Sequence, residues 1–284
     1  MSKGIILSGG TGSRLHPLTV VVNKQLLPVY DKPMIYYPLS TLISCGITEI
    51  CIISSPEYLP LYEKLLGDGS NLGLKICYKV QHAPKGIAES FIIAEDFIGN
   101  DGVSLVLGDN IFHGNIKGKI PQQGAIVFAY KVSDPSAYAV VEFDNDGKVL
   151  SLEEKPKQPK SEYCVPGLYF FDNKVVNYAK VLKPSGRGEL EITDLINIYL
   201  SNKELSVIEF PRGTAWLDAG TPDTLFQSAA YIHTIQERQG IKIGCIEEEC
   251  YRKKIINKDQ LRNLIDKMPE SEYKEYIRNY YVQN

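Results

Sequence analysis

The stretch Gly4-Ile5-Ile6-Leu7-Ser8-Gly9-Gly10-Thr11-Gly12-Ser13-Arg14-Leu15 decides how the rest of the chain is read. An apolar strand-like run ends in a glycine cluster, and residues without Cβ let backbone N–H groups approach a polyphosphate closely. The cluster is not a Walker loop, because no Gly-Lys-Ser/Thr closes it. Nor is it the G-x-G-x-x-G dinucleotide fingerprint, because Leu15 stands five residues after Gly10, and an NAD-dependent oxidoreductase is set aside on that ground. Taken alone, a glycine cluster is also simply a turn. Arg14 inside the loop and Lys24 in Asn23-Lys24-Gln25-Leu26-Leu27-Pro28 add two cations able to neutralise a triphosphate from both sides.

Working outward, β-like runs recur at Gly4–Leu7, Ile50–Ser54, Leu74–Val80 and Val103–Leu107, separated by helically spaced stretches such as Met34–Cys45 and Ile87–Phe97. That alternation predicts βαβ units and a mostly parallel sheet. From Ala125–Val132 through Ala139–Phe143, Val149–Leu152 and Tyr163–Phe171 the rhythm changes to short strands, with Asp146-Gly147 a turn signal, so the second half reads as α+β. Beyond Trp216 helical patterns dominate, over Pro222–Gln239, Asp259–Asp266 and a last segment in which Pro269 suits a first helical turn. Tyr273, Tyr276, Ile277 and Tyr280 form a stripe on that last helix. It fits packing on its own domain as well as it fits a subunit contact.

Composition narrows the partners. A chain of 284 residues, 44% hydrophobic and 23% charged, can bury a large core. A net charge of -3 offers no global attraction to a nucleic-acid polymer or an anionic membrane, so phosphate recognition must come from a few placed residues. The start of the chain lacks the features of a secretory signal, and no apolar run approaches the roughly 18 residues of a membrane span. Six cysteines without a C-x-x-C pair argue against a disulfide framework or thiolate zinc site, and read most simply as reduced cytoplasmic thiols.

The opening pattern resembles that of the sugar nucleotidyltransferases, G-G-x-G-x-R-L, then Pro, then Lys-x-L-L-P. It is matched here by Gly9, Gly10, Gly12, Arg14, Leu15, Pro17, Lys24, Leu26, Leu27 and Pro28. The resemblance implies a Rossmann-like α/β mixed sheet of the nucleotidyltransferase type, flanked by helices, with a smaller β sugar-binding part and a helical C-terminal region. Expected boundaries are a nucleotidyltransferase domain over 1–239, with its nucleotide part at about 1–110 and its sugar part at about 111–220. A mainly helical extension over 240–284 packs on it.

Asp109 follows the strand Val103–Leu107, where open α/β sheets bind ligands, and Asp218 lies in Trp216-Leu217-Asp218-Ala219-Gly220. Each aspartate alone reads more readily as a turn former or cap. Together with phosphate oxygens they suit Mg²⁺, and the family places its metal aspartates in such L-G-D-N and W-x-D-x-G segments, which implies both as ligands. The four histidines show no ligand spacing. Ser151-Leu152-Glu153-Glu154-Lys155-Pro156 is similar to the family's E-x-x-E-K-P sugar segment, although alone it reads as a solvated charged turn. The resemblance implies that Glu154 accepts sugar hydroxyls, and that Lys155 and Arg187 hold the attacking sugar phosphate while Arg14, Lys24 and Mg²⁺ hold the triphosphate.

The likeness extends end to end and narrows to the long-form, thymidylyl-transferring branch, through Leu26–Ser40, Arg238-Gln239-Gly240 and Tyr251-Arg252. It implies dTTP and glucose 1-phosphate as substrates, with dTDP-glucose and pyrophosphate as products. It also implies a nucleotide site of Leu7, Gly9, Gly10, Thr11, Gly12, Ser13, Arg14, Lys24, Gln25, Gln81, Gly86 and Asp109, with Gln81 reading the thymine edge. The implied sugar site comprises Asn110, Tyr138, Ala139, Glu154, Lys155, Val165, Tyr169 and Arg187. A homotetramer with a regulatory site for a downstream dTDP-rhamnose-type sugar is expected by the same analogy. Ala139 stands where the family usually has Gly, Val165-Pro166-Gly167 stands where it has Val-Thr-Gly, and Phe112–Gln123 is short. Competing expectations are a uridylyl- or adenylyltransferase and a catalytically silent nucleotide-sugar sensor.

Overall fold

The computed structural model describes residues 3–116 and 118–283; Met1, Ser2, Asn284 and Lys117, the last within the shortened Phe112–Gln123 stretch, lie outside them. In the first half, β1 (Lys3–Leu7), β2 (Pro28–Val29), β3 (Lys32–Pro33), α1 (Tyr36–Ser44), β4 (Glu49–Ser54), α2 (Leu59–Leu66) and β5 (Lys75–Val80) follow one another. Then come α3 (Glu89–Ile93), α4 (Glu95–Ile98), β6 (Val103–Leu107) and β7 (Asn110–His113). The second half runs through β8 (Ala125–Lys131), β9 (Ala139–Phe143), β10 (Val149–Glu154), β11 (Tyr163–Cys164), β12 (Leu168–Phe171), α5 (Val175–Val181) and α6 (Ile192–Ser201). It finishes with β13 (Leu205–Glu209), β14 (Ala215–Asp218), α7 (Pro222–Gln239), α8 (Ile246–Arg252), α9 (Lys258–Lys267) and α10 (Glu272–Gln283).

One mixed sheet organises these elements, in the order β10-β9-β11-β8-β12-β6-β1-β4-β5, with β13 parallel to β8. The parallel members β6, β1 and β4 are nearly uninterrupted apolar runs because helices cover both faces, whereas the edge strand β5 carries Lys75 and Lys79. Alternation along each strand divides the core. Ile6, Ile50, Ile52, Val106 and Phe170 face α1, α2 and the C-terminal helices, while Ile5, Cys51, Ile53, Leu105 and Phe171 face α3, α5 and α6.

Several expectations shift at their edges. The helical stretch Ile87–Phe97 is two short helices, because Ala94 leaves helical geometry at φ -95, ψ 15. The run Tyr163–Phe171 is two strands, interrupted at Val165-Pro166-Gly167, where proline cannot donate to a ladder. Pro269 precedes the last helix rather than opening it. The tyrosine stripe packs on its own chain. Ile277 is fully buried, Tyr273 donates to Glu247 at 2.6 Å, Tyr276 donates to Glu248 at 2.5 Å, and Tyr251 meets Tyr280 edge to face.

The extension is fastened by a buried cation. Lys32, in the β2–β3 hairpin, pairs with Asp31, donates to the Ile243 carbonyl at 3.0 Å and faces the rings of Tyr37 and Tyr273. Lys242 adds a second pair to Asp31 at 2.7 Å. Burial pushes the Lys32 ammonium below its ordinary range while Asp31 partly restores it, so the pair is costly to split. Lys32→Ala is expected to lower the unfolding free energy by about 3 kcal/mol. Urea titration checks the magnitude, and hydrogen exchange is expected to show lost protection concentrated beyond residue 243 rather than in β1 or β4.

Candidate active site

The glycine loop leaves β1 where the sheet changes direction, with β4 on one side of β1 and β6 on the other, the position at which open α/β sheets bind ligands. Its base is tied down on both sides, Ser8 N–H donating to the Ile53 carbonyl at 2.8 Å and Gly108 N–H to the Leu7 carbonyl at 2.9 Å. The glycines are required by space as well as conformation. A Cβ on Gly9 would stand 2.2 Å from Gln81 Oε1, and one on Gly12, at φ +61, would stand 2.8 Å from Thr19 Cγ2. Gly10, Thr11, Ser13 and Arg14 are exposed on the open side, where a polyphosphate would lie.

Asp109 and Asp218 arrive from separate parts of the chain. Asp109 directly follows β6, and the antiparallel ladder of β7 and β14 sets Asp218 opposite Asn110, with Ala219 N–H donating to the Asp109 carbonyl at 3.1 Å. Lys24 pairs with Asp109 Oδ2, and Asn110 Nδ2 donates to Asp109 Oδ1 at 2.9 Å. Burial pushes the Asp109 carboxyl up, but the Lys24 ammonium overrides it and holds the group below its usual range. Among the described residues Asp218 has no such ion-pair partner. Burial first, then the Asp109 charge, push it to about 6 against the pull of Lys24, Arg14 and Lys155. The Arg14 guanidinium lies beside Gly220, where an added Cβ would be 2.8 Å from both Arg14 Nη2 and Asp218 Oδ1.

This pair fits a hard divalent cation, which would relieve the like-charge burden on Asp218. No group of three or more ligating side chains exists among the described residues, so such an ion would complete its shell with substrate oxygens and water.

The residues expected on the sugar side lie next to these charges. Glu154 ends β10, and its carboxylate accepts from Thr193 Oγ1 at 2.5 Å and from Arg187 Nη2 at 3.4 Å; Lys155 Nζ is 3.5 Å away. Lys155 itself takes φ +44 and donates its N–H to the Tyr138 carbonyl at 3.1 Å, which turns the chain at the end of the ladder pairing Glu154 with Ala139. Tyr169 is buried beneath both halves, its hydroxyl pushed up first by burial and then by the charges of Glu154 and Asp109. Val165 and Ala139 are likewise buried, whereas Tyr138 is half-buried against Trp216 at 4.9 Å between ring centres.

The expected residues differ in their freedom. Arg14, Lys155 and Arg187 are exposed, Lys24 and Asp218 half-buried, and Gln25 enclosed, its Oε1 without a hydrogen-bond partner. Asn110 is occupied within the protein, its Oδ1 accepting from Trp216 Nε1 at 2.6 Å and from Gly167 N–H at 3.0 Å. Gln81 Nε2 donates to Glu89 at 2.9 Å, and Gly86, at φ +103, presses on the Leu190 backbone, where a Cβ would be 2.4 Å from a carbonyl oxygen. Sequence reasoning did not single out Glu89, Thr193 or Glu191: Thr193 touches Glu154, remote in sequence, while the short-range contacts of Glu89 with Gln81 and of Glu191 with Arg187 depend on loop geometry that local pattern does not carry. Only the neighbourhood of Arg187 hinted at the last two.

Comparison with known proteins was made on this geometry. The nucleotidyl transferase family model matches residues 3–235. A glucose-1-phosphate thymidylyltransferase of Mycolicibacterium smegmatis is 53% identical, covering 97% of both chains, and one of Neisseria meningitidis is 50% identical, covering 97% of this chain and 98% of its own. Among solved structures, a Bacillus anthracis protein named for the same activity and crystallised with sucrose superposes with a TM-score of 0.75 at 45% identity, covering 81% of this chain and 95% of its own. A UDP-glucose pyrophosphorylase bound to UDP-glucose shares the fold at a TM-score of 0.71 and 21% identity, covering 82% and 99%. With this sheet, this cleft and these relatives, the chain belongs to the nucleotidyl transferase family, in its glucose-1-phosphate thymidylyltransferase branch.

Proposed function

We propose that the chain makes dTDP-glucose and pyrophosphate from dTTP and α-D-glucose 1-phosphate, at the cleft between the glycine loop and Glu154. The observation that carries this reading is the meeting of two charge groups, Arg14, Lys24, Asp109 and Asp218 on one side and Lys155 on the other, close enough for Lys155 to act on Asp218. A phosphate oxygen of the sugar attacks the α-phosphorus of dTTP in line; the new P–O bond forms as the bond to pyrophosphate breaks, and no protein nucleophile is needed. Arg14 and Lys24 hold the triphosphate and the departing pyrophosphate, Lys155 and Arg187 hold the attacking phosphate, and Glu154 accepts sugar hydroxyls. Mg²⁺ held by Asp109 and Asp218 supplies neutralisation of phosphate charge when bound.

On the base side, Gln81 Nε2 donates to Glu89 at 2.9 Å and, at the long distance of 3.5 Å, to the Gly86 carbonyl; a thymine imide edge would replace that weaker contact and donate to Oε1. A single methyl separates thymine from uracil and discriminates by only about 1–3 kcal/mol, so some UTP use accompanies dTTP use. No helix among the described residues is long and apolar enough to cross a membrane, in keeping with a cytoplasmic enzyme that supplies dTDP-rhamnose-type deoxysugar synthesis.

Residues 240–284 serve as a regulatory and assembly extension to the catalytic part, 1–239, in a homotetramer. A cavity of about 820 Å³ between α1, the end of β7 and α8, lined by Lys242, Arg252 and Lys253 among others, supports a second nucleotide-sugar site there. Arg252 lies outside the catalytic cleft, and Arg252→Ala is expected to abolish inhibition by dTDP-rhamnose while leaving uninhibited turnover unchanged. Inhibition that is purely competitive with dTTP, or a monomer by light scattering, would remove this part of the reading.

The central test is pyrophosphate release with Mg²⁺, glucose 1-phosphate and each nucleoside triphosphate in turn. Release is expected to be strongest with dTTP and lost on chelation; a strong preference for UTP would displace the base assignment, and silence with every sugar phosphate would favour a nucleotide-sugar sensor. Asp218→Asn is expected to lose most turnover and yet raise the melting temperature of the ligand-free protein near pH 7.5. The folded-state pKa of Asp218 lies above its unfolded value, so its stabilising contribution is complete below about pH 4 and is lost as pH rises through about 6. The gain from asparagine therefore shrinks on acidification. Melting curves across that range check it, and an unchanged difference at every pH would contradict the placement of Asp218 beside Asp109.

A further inference from the structure

We infer that Glu191 is the positioning residue for Arg187: its carboxylate, at the start of α6, fixes the guanidinium on the sugar-phosphate side and limits it to a long contact with Glu154. The inference rests on the assignment of Arg187 and Glu154 to the sugar side proposed above. Arg187 is exposed and would otherwise sample many rotamers. Glu191 is buried to 8% exposure and grips it at two points, Nε to Oε1 at 3.2 Å and Nη2 to Oε2 at 2.8 Å. A planar guanidinium held by two charge-assisted bonds loses its freedom to swing.

The grip is itself braced. Ser185 Oγ donates to Glu191 Oε1 at 2.6 Å and accepts the Arg187 N–H at 3.2 Å, while Ser185 N–H donates to the Glu189 carbonyl and Gly188 N–H to the Ser185 carbonyl. Leu190 then fastens this loop to the base-side segment, its N–H donating to the Lys85 carbonyl at 2.7 Å and its carbonyl accepting from Ala88 N–H at 3.2 Å.

Glu154 is the competitor. Its Oε1 already lies 3.4 Å from Arg187 Nη2, and Glu189 is farther, at 3.8 Å. Without the charge of Glu191, Glu154 is the nearest carboxylate, and closing that pair would remove both the phosphate-binding cation and the sugar-hydroxyl acceptor from the substrate. The same collapse would leave the triphosphate side untouched.

The test is steady-state kinetics on the full chain, varying glucose 1-phosphate and dTTP separately, for wild type, Glu191→Gln, Glu191→Asp, Arg187→Ala and the Glu191→Gln/Arg187→Ala double variant. Glu191→Gln is expected to raise KM for glucose 1-phosphate about tenfold or more. KM for dTTP is expected to stay within about twofold, Glu191→Asp to recover much of the loss, and Glu191→Gln to add nothing once Arg187 is alanine. If Arg187→Ala raises KM for glucose 1-phosphate but Glu191→Gln does not, the inference falls alone. If Arg187→Ala leaves that KM unchanged, the sugar-side assignment falls and takes the inference with it. Equal rises in both KM values, or independent effects in the double variant, mark Glu191 as merely structural and overturn it.

Discussion

Two carboxylates held close together in a partly enclosed cleft are the constraint on which the rest of the structure depends. The backbone ladder between β7 and β14 enforces their proximity, so neither Asp109 nor Asp218 can relax away from the other without breaking strand pairing. Charge repulsion at such a site must be met by cations or by protonation. The protein uses both: Lys24 satisfies Asp109 directly, while Asp218 is left to be neutralised in part by a proton. A fold built only for stability would replace one aspartate. Retaining both makes sense where a divalent cation and an anionic substrate complete the charge balance.

Holding that ladder in place requires a polar hub. Asn110 joins β7 to β14 through Trp216 and joins both to the turn before β12 through Gly167, while β12 pairs with β6, the strand that leads to Asp109. The proposed nucleotide and sugar parts would therefore belong to one continuous sheet. A shift of β12 would be felt at Asp109 and at the end of β10 together, which is why the two substrates can be held at a fixed distance without a hinge between them.

The parallel half was legible because β1, β4, β5 and β6 are apolar runs separated by amphipathic stretches, a pattern that local sequence carries. The glycine loop and its cations were legible for a similar reason, being contiguous. What escaped was the ribbon of β7 and β14, two four-residue strands whose pairing spans about a hundred positions and whose sequences, Asn110–His113 and Ala215–Asp218, carry no strong alternation. Asp218 consequently read as a turn residue although it ends a strand. Glu191 was not singled out, since nothing local distinguishes it from Glu189; burial and the Ser185 contact make the difference. Tyr169 and Val165, expected to line the sugar site, are buried, a distinction of depth that sequence does not encode.

The two departures from the family pattern on the sugar side are absorbed by the fold without a lost backbone bond. Val165 N–H donates to the Ala139 carbonyl at 2.9 Å and Gly167 N–H to Asn110 at 3.0 Å, so the residue between them has no ladder partner to lose, and Pro166 can stand there. Ala139 is buried at 9% exposure among Val141, Leu152 and Val165, where its methyl adds to the core. It directs its carbonyl to Val165 and leaves the turn at Lys155 to Tyr138. On the proposed assignment, sugar choice would depend less on these two positions than on the carboxylate of Glu154 and the cations around it. Their geometry is fixed by Thr193 on one side and by Glu191, through Arg187, on the other.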